Sequence, residues 1–125
     1  ESYVLKNEGT SYQKISLGTL GMVRAAVWTD FNADGVEDLI VVGEWMQPTF
    51  LQNNNGNFED KTAQYLSQKL HGLWRTIIPY DIDNDGDNDL FVTSDTEINK
   101  LYENLGMTAA TDASALNRAP KVASA

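Results

Sequence analysis

The chain has 125 residues, a formal net charge of −9 and no cysteine. This length is enough for one domain with a buried core, and the lack of cysteine excludes disulfide bonds. The acidic balance argues against a nucleic-acid partner, because a phosphate backbone attracts basic surfaces. No apolar run approaches the ~20 residues that cross a bilayer, so we expect no membrane span.

The predicted elements are β-strands that occur in two similar sets. β-branched and aromatic runs predict strands at 22–29, 39–43, 49–53 and 57–60, and then at 74–80, 90–93 and 98–104. Asn55-Gly56 separates two of these runs and predicts a type I′ hairpin turn, in which both central residues need positive φ. Between the two sets, residues 62–69 are compatible with a short helix or with an irregular connection.

The chain repeats itself with an offset of 51 residues. The identical pairs at this offset include Asp30 and Asp81, Asp34 and Asp85, Gly35 and Gly86, Asp38 and Asp89, Leu39 and Leu90, and Asn53 and Asn104. A partial third copy opens the chain, because residues 5–9 followed by Tyr12 resemble residues 51–58. We therefore divide the chain into a partial unit at 1–20, repeats at 21–71 and 72–106, and an edge strand or flexible tail at 107–125.

Each repeat contains an acidic nonapeptide, named loop one (residues 30–38) and loop two (residues 81–89). Side-chain oxygens occupy positions 1, 3, 5 and 9, and glycine occupies position 6. Ca²⁺ takes roughly six to eight oxygen ligands, and a tight loop with alternate side chains turned inward supplies several of them. The predicted ligands are Asp30, Asn32, Asp34, the Val36 carbonyl and Asp38 in loop one, and Asp81, Asp83, Asp85, the Asp87 carbonyl and Asp89 in loop two.

Loop two should bind Ca²⁺ more tightly than loop one. It carries four ligand carboxylates, whereas loop one has Asn32 in place of one of them. Four carboxylates in one loop repel each other strongly until a cation is bound. We therefore predict two Ca²⁺ sites of unequal affinity.

Two other interpretations of the loops are less well supported. An EF-hand needs an acidic residue at position 12 and flanking helices, but position 12 is Val41 in loop one and Val92 in loop two. Turns rich in Asp, Asn and Gly also occur without metal, although two copies in register argue against that. Mg²⁺ is disfavoured because it prefers rigid octahedral sites that retain several waters.

These stretches resemble the FG-GAP repeats, also called VCBS-type repeats, of integrin α-subunits and bacterial extracellular proteins. Residues 28–41 and 81–92 carry the resemblance, and the run Gly43-Glu44-Trp45-Met46 is similar to the bacterial branch. The resemblance implies an all-β fold of tandem four-stranded antiparallel blades from a β-propeller, here about two blades. It implies the same ligands and the same two Ca²⁺ ions. Because two blades cannot close a ring, we expect a segment of a larger protein, or self-association through blade edges.

The expected function is that of a calcium-stabilised, non-catalytic binding, adhesion or scaffold module with a protein or carbohydrate ligand. We place it in a secreted or cell-surface bacterial protein, because external millimolar calcium fills weak sites that cytosolic calcium leaves empty. Two alternatives stay open. In the first alternative, the blades are part of a secreted polysaccharide-degrading enzyme whose active site lies elsewhere. In the second, the chains assemble edge to edge into a structural array.

Few other residues suggest chemistry. Glu44 and Trp45 either form part of a ligand surface, where Trp is common, or Trp45 packs within a blade. Trp28 and Trp74 are expected in the core. His71 is predicted in a surface turn, with no nucleophile motif to partner it.

Overall fold

A computed structural model describes residues 1–66, 71–96 and 98–102, which are almost entirely β. The strands are β1 (Ser2–Asn7), β2 (Tyr12–Gly18), β3 (Met22–Thr29), β4 (Asp38–Met46), β5 (Thr49–Asn54), β6 (Asn57–Asp60), β7 (Gly72–Tyr80), β8 (Asp89–Ser94) and β9 (Lys100–Tyr102). The one-turn helix α1 (Thr62–Tyr65) follows β6. Among the described residues, no helix has the length and apolar character needed to cross a membrane.

Strands β3 to β6 form a four-stranded antiparallel meander, which we call the first blade. Each strand pairs with the next, with Thr29 opposite Asp38, Ile40 opposite Phe50 and Asn53 opposite Phe58. At the β5–β6 turn, Asn55 and Gly56 have φ of 54° and 90°, which confirms the predicted hairpin turn. The all-β fold with an antiparallel blade is confirmed.

Strands β7 to β9 form the described part of the second blade and repeat the register of the first. Tyr80 lies opposite Asp89, at an offset of 51 residues from the pair Thr29 and Asp38. The β3–β4 ladder shifts register at Arg24 and the β7–β8 ladder shifts at Arg75, again at the same offset. The repeat read from the sequence is therefore a repeat of backbone structure, including its irregularities.

Residues 38–43 of β4 are buried on both faces of the first blade, which explains the continuous apolar run in this strand. One face of β4 contributes Ile40 and Val42 to a core with residues of α1, β5, β7 and β8, including Phe50, Tyr65 and Trp74. The other face contributes Leu39 and Val41 to a second cluster, which β1 and β2 help to cover. A strand covered on both sides does not need to alternate apolar with polar residues.

The N-terminal unit is a separate two-stranded hairpin, β1 paired with β2. The Asn7 Oδ1 accepts a hydrogen bond from the Gly9 N–H at 2.8 Å. The Asn53 Oδ1 accepts the matching bond from the Gly56 N–H, also at 2.8 Å. The partial third copy therefore corresponds to the β5–β6 hairpin, with a turn one residue shorter.

The expected burial of tryptophan is confirmed for Trp74 and wrong for Trp28. Trp74 is buried, with 1% of its surface exposed. Trp28 is 48% exposed, because it lines an open cleft of about 520 Å³ between the N-terminal hairpin and the first blade. Trp45 is 74% exposed, so it does not pack within the blade. His71 is exposed, as predicted.

Strand boundaries differ from the predicted ones by a few residues. Strand β4 extends to Met46, because Glu44 and Met46 pair with the start of β7. This pairing joins the two blades. The connection after β6 begins as helix, but residues 67–70 lie outside the described part of the chain. Strand β9 begins at Lys100 rather than at residue 98. The tail expected at 107–125 also lies outside the described residues.

Candidate metal centre

Both loops are closed by the carboxylate at position 1. The Asp30 Oδ1 and Oδ2 accept hydrogen bonds from the Asp34 and Gly35 N–H groups at 3.1 and 2.7 Å. The Asp81 oxygens accept the equivalent bonds from Asp85 and Gly86 at 3.1 and 2.9 Å. These bonds turn the chain back on itself immediately after β3 and after β7.

The two loops share the same backbone bends. Ala33 and Asn84 at position 4 have φ of 59° and 63°. Gly35 and Gly86 at position 6 have φ of 86° and 99°. Glycine adopts positive φ without steric cost, which is why the pattern requires it at position 6. Ala33 adopts a left-handed conformation that is uncommon for a residue with a Cβ atom.

Loop two gathers three of its four predicted ligand carboxylates, and Asp85 is not among them. The carboxylate oxygens of Asp81, Asp83 and Asp89 lie within 4.8 Å of one another, the one cluster of this kind in the described parts of the chain. Asp89 is buried, and its Oδ2 accepts a hydrogen bond from the Ile82 N–H at 2.9 Å. Like charges at such distances repel strongly, so the arrangement favours a bound cation.

The side chain of Asp87 also lies in loop two, where the sequence predicts only its carbonyl as a ligand. Its Oδ1 is buried and has no hydrogen-bond partner. Burial raises the pKa of the Asp87 carboxyl to about 6, and the negative charges of Asp85, Asp89 and Asp83 add to the effect. The Asp87 carboxyl therefore lies close enough to the other loop two carboxylates for their charges to act on it. Ligation by the carbonyls of Val36 and Asp87 stays a prediction.

Loop one centres on Asp38, which is completely buried at the first residue of β4. Its Oδ1 accepts a hydrogen bond from the Asn53 N–H at 2.8 Å, while its Oδ2 has no partner. Burial raises the pKa of Asp38 to about 6, and the charges of Asp34 and Asp30 act in the same direction. Asn32 is also buried, and its amide donates to the Asp34 Oδ2 at 3.0 Å.

The donor sets fit Ca²⁺. Among the described residues, the buried side-chain oxygens without a hydrogen-bond partner are the Asp38 Oδ2 and the Asp87 Oδ1, one in each loop. A buried carboxylate oxygen without a partner is strongly disfavoured. A hard divalent cation held by carboxylate and amide oxygens satisfies it. In loop two, Asp81, Asp83 and Asp89 are the predicted ligands that the structure brings together, and the other predicted ligands of both loops stay predictions.

Two supporting contacts were not expected from the sequence. The Asn53 side chain donates to the Glu37 carbonyl at 3.0 Å, so Asn53 holds loop one against β5 through both its backbone and its amide. The Asn88 amide in loop two donates to the Thr29 hydroxyl at 3.4 Å, next to the start of loop one. For Asn53 the signal was present, since it is identical to Asn104 at the repeat offset.

Comparison with known families gives one match. A model of the FG-GAP-like repeat family matches residues 30–92, which run from the first ligand of loop one to the strand after loop two. The chain belongs to the FG-GAP-like repeat family. No curated protein and no solved structure matches it. FG-GAP repeats often bind calcium, and the acidic cluster of Asp81, Asp83 and Asp89 lies within the matched residues.

The raised pKa of Asp38 predicts an unusual pH response of the metal-free FG-GAP chain. The ordinary value of 3.8 rises to about 6 on folding, so the folded state holds more protons between these values. Lowering the pH from 7 to 5 should therefore stabilise the calcium-free fold by about 1 kcal/mol through Asp38. The measurement is urea unfolding in chelator at pH 7, 6 and 5.

The matched control for the pH prediction is Asp38→Asn, which cannot titrate. The difference in unfolding free energy between the wild type and this variant isolates the contribution of residue 38 from those of the other acids. That difference should change by about 1 kcal/mol in favour of the wild type as the pH falls to 5. A difference that stays constant from pH 7 to pH 5 would contradict the prediction.

Proposed function

We propose that this chain is a calcium-stabilised, non-catalytic binding or scaffold module of an extracellular or cell-surface protein. The observation that carries the proposal is the pair of buried, unpartnered carboxylate oxygens, one in each acidic loop. Membership of the FG-GAP-like repeat family supports it, because such repeats generally serve binding or scaffolding and typically occur in extracellular proteins. The proposed ligand of the module is a protein or a carbohydrate.

The role of calcium in this proposal is structural. Asp30 immediately follows β3, and Asp38 is the first residue of β4. An ion held by both residues ties together the ends of two paired strands. Loop two does the same for β7 and β8, between Asp81 and Asp89. The free energy of binding then adds to the stability of the blades, because the unfolded chain lacks the assembled sites.

The shifted carboxylates support a structural role over a catalytic one. Asp38 and Asp87 have the clearly raised pKa values among the described carboxyl groups. Perturbed groups of this kind mark candidate active sites. Here both belong to the calcium loops, where a bound cation accounts for their burial without any reaction.

Calorimetric titration with CaCl₂ tests the proposal. We expect two Ca²⁺ ions per chain, with loop two binding about tenfold more tightly, a difference of about 1.4 kcal/mol. Asp34 and Asp85 occupy the same position in the two loops, so Asp34→Ala and Asp85→Ala are matched variants. Asp85→Ala should remove the tight phase and Asp34→Ala the weak one. An absence of calcium binding at millimolar concentration would overturn the proposed function.

A further inference from the structure

Trp45 is held in a conformation that packing does not explain. Its φ is 57°, in the left-handed region, and 74% of its surface is exposed. A left-handed backbone at a bulky residue costs about 1–2 kcal/mol. Trp45 is the inserted residue between Glu44, which pairs with Leu73, and Met46, which pairs with Gly72. The chain therefore tolerates a strained backbone in order to project an indole ring into solvent.

The second repeat has no aromatic residue at the position that corresponds to Trp45. Its equivalent residue, 51 positions later, is Thr96, which is also exposed. The neighbours of Trp45 do have a packing role. Met46 is buried, and a Cβ added to Gly43 would lie 2.0 Å from the Met22 carbonyl oxygen. The backbone around Trp45 is thus fixed, while the indole itself makes no contribution to the core.

Two ion pairs lie at the same end of the blades. Arg24 Nε lies 2.7 Å from Glu44 Oε1, and Arg75 Nε lies 2.7 Å from Asp95 Oδ2. Both arginines and both acids are related by the offset of 51 residues. These four residues are named the charged quartet, and its formal charge is zero.

The backbone of Leu73 links the two ion pairs of the charged quartet. Glu44 pairs with Leu73, whose carbonyl accepts a hydrogen bond from the Asp95 N–H at 3.1 Å. The two pairs also affect each other electrostatically. Arg75 holds the pKa of the Asp95 carboxyl below its usual range through its hydrogen bond, and the charge of Arg24 contributes further. Trp45 directly follows Glu44 in β4, which places the indole one residue from a member of the charged quartet.

We propose that Trp45 and the charged quartet form a binding site for a neutral saccharide. This inference rests on the proposed binding function and names its class of ligand. An exposed indole offers a flat apolar face to the C–H face of a sugar ring. Arginine–carboxylate pairs offer fixed donors and acceptors in a planar arrangement that suits pairs of hydroxyl groups.

The charge of the quartet and of the whole chain disfavours charged ligands. A quartet without net charge attracts neither polyanions nor polycations, and the chain as a whole carries −9, which disfavours anionic glycans and nucleic acids. The site is also separate from the calcium loops. Trp45 lies seven residues along β4 from Asp38, which is roughly 23 Å of extended strand.

The test is titration calorimetry of the calcium-loaded chain with cellohexaose, mannohexaose and xylohexaose, each to 10 mM, with hexagalacturonate as the anionic probe. The matched variant is Trp45→Thr, which installs the residue of the second repeat. Trp45→Phe retains an aromatic face. At least one neutral hexasaccharide should bind the wild type. Its affinity should fall about tenfold or more in Trp45→Thr and less in Trp45→Phe.

Calcium-dependent melting is measured on the same samples. It should be unchanged in Trp45→Thr, which separates this inference from the proposed calcium function. Absence of binding by all three neutral sugars overturns the saccharide site, as does equal binding by Trp45→Thr or a preference for hexagalacturonate. A displayed peptide library that yields Trp45-dependent binders, while the sugars fail, would overturn it in favour of a protein partner.

Discussion

Removing calcium should lower the melting temperature of this chain by roughly 20 °C. At a free concentration about one hundred times the dissociation constant, each site adds about 2.7 kcal/mol to the unfolding free energy. Without the ion, the loop two carboxylates repel one another within 4.8 Å, and the Asp38 Oδ2 stays buried without a partner. The measurement is thermal melting by circular dichroism in 10 mM CaCl₂ and in chelator.

The controls for the calcium prediction are variants at the same position in loop one and loop two. Asp34→Ala and Asp85→Ala should each lose part of the response, and the double variant should lose nearly all of it. MgCl₂ at the same concentration should restore little stability, because Mg²⁺ requires near-ideal octahedral geometry and dehydrates reluctantly. Identical melting curves in calcium and chelator for the wild type would show that the loops act as turns without metal.

Trp74→Ala should destabilise the protein far more than Trp28→Ala. Trp74 is 1% exposed within the core that joins the two blades. Truncating a buried aromatic to alanine costs about 3–5 kcal/mol, a large share of the total stability of a domain. Trp28 is 48% exposed, and its ring contacts Phe58 at a centroid distance of 6.0 Å. We expect its truncation to cost about 1 kcal/mol.

Urea unfolding in saturating calcium measures both tryptophan variants. Trp74→Phe is the milder variant to measure if the Trp74→Ala protein does not fold. Its free energy of unfolding should fall by about 1–3 kcal/mol, because a smaller ring leaves a cavity. Equal losses for Trp28→Ala and Trp74→Ala would contradict the burial of these two side chains. A larger loss for Trp28→Ala would indicate that the cleft beside it is filled in solution.

Local signals in the sequence predicted the strands and the loops. The loop ligands follow strand-forming runs, and Asn55-Gly56 specifies its turn by backbone sterics alone, so the prediction needed no tertiary information. The ion pairs also had a signal, because Arg24 and Arg75 are identical at the repeat offset and Glu44 and Asp95 are both acidic. The sequence does not show which acid each arginine faces, because that depends on the pairing of β3 with β4 and of β7 with β8.

Exposure was harder to predict than secondary structure. Trp28 and Trp74 both lie in the strand that precedes a calcium loop, yet the neighbouring blade covers Trp74, while a cleft adjoins Trp28. Trp45 is exposed because a register shift against β7 turns it outward. The environment of the Asp87 side chain likewise depends on how loop two folds around it. Each of these outcomes depends on contacts between segments, which a local pattern does not encode.

Loop one and loop two have the same backbone conformation although their side chains differ. Positive φ occurs at the same two positions in each, and the same pair of hydrogen bonds from the first aspartate closes each one. The intervening side chains can vary without altering that frame, as Asn32 and Asp83 already show. Side-chain changes in one loop should therefore alter the ion affinity of that loop alone. The strands that present Trp45 would not change.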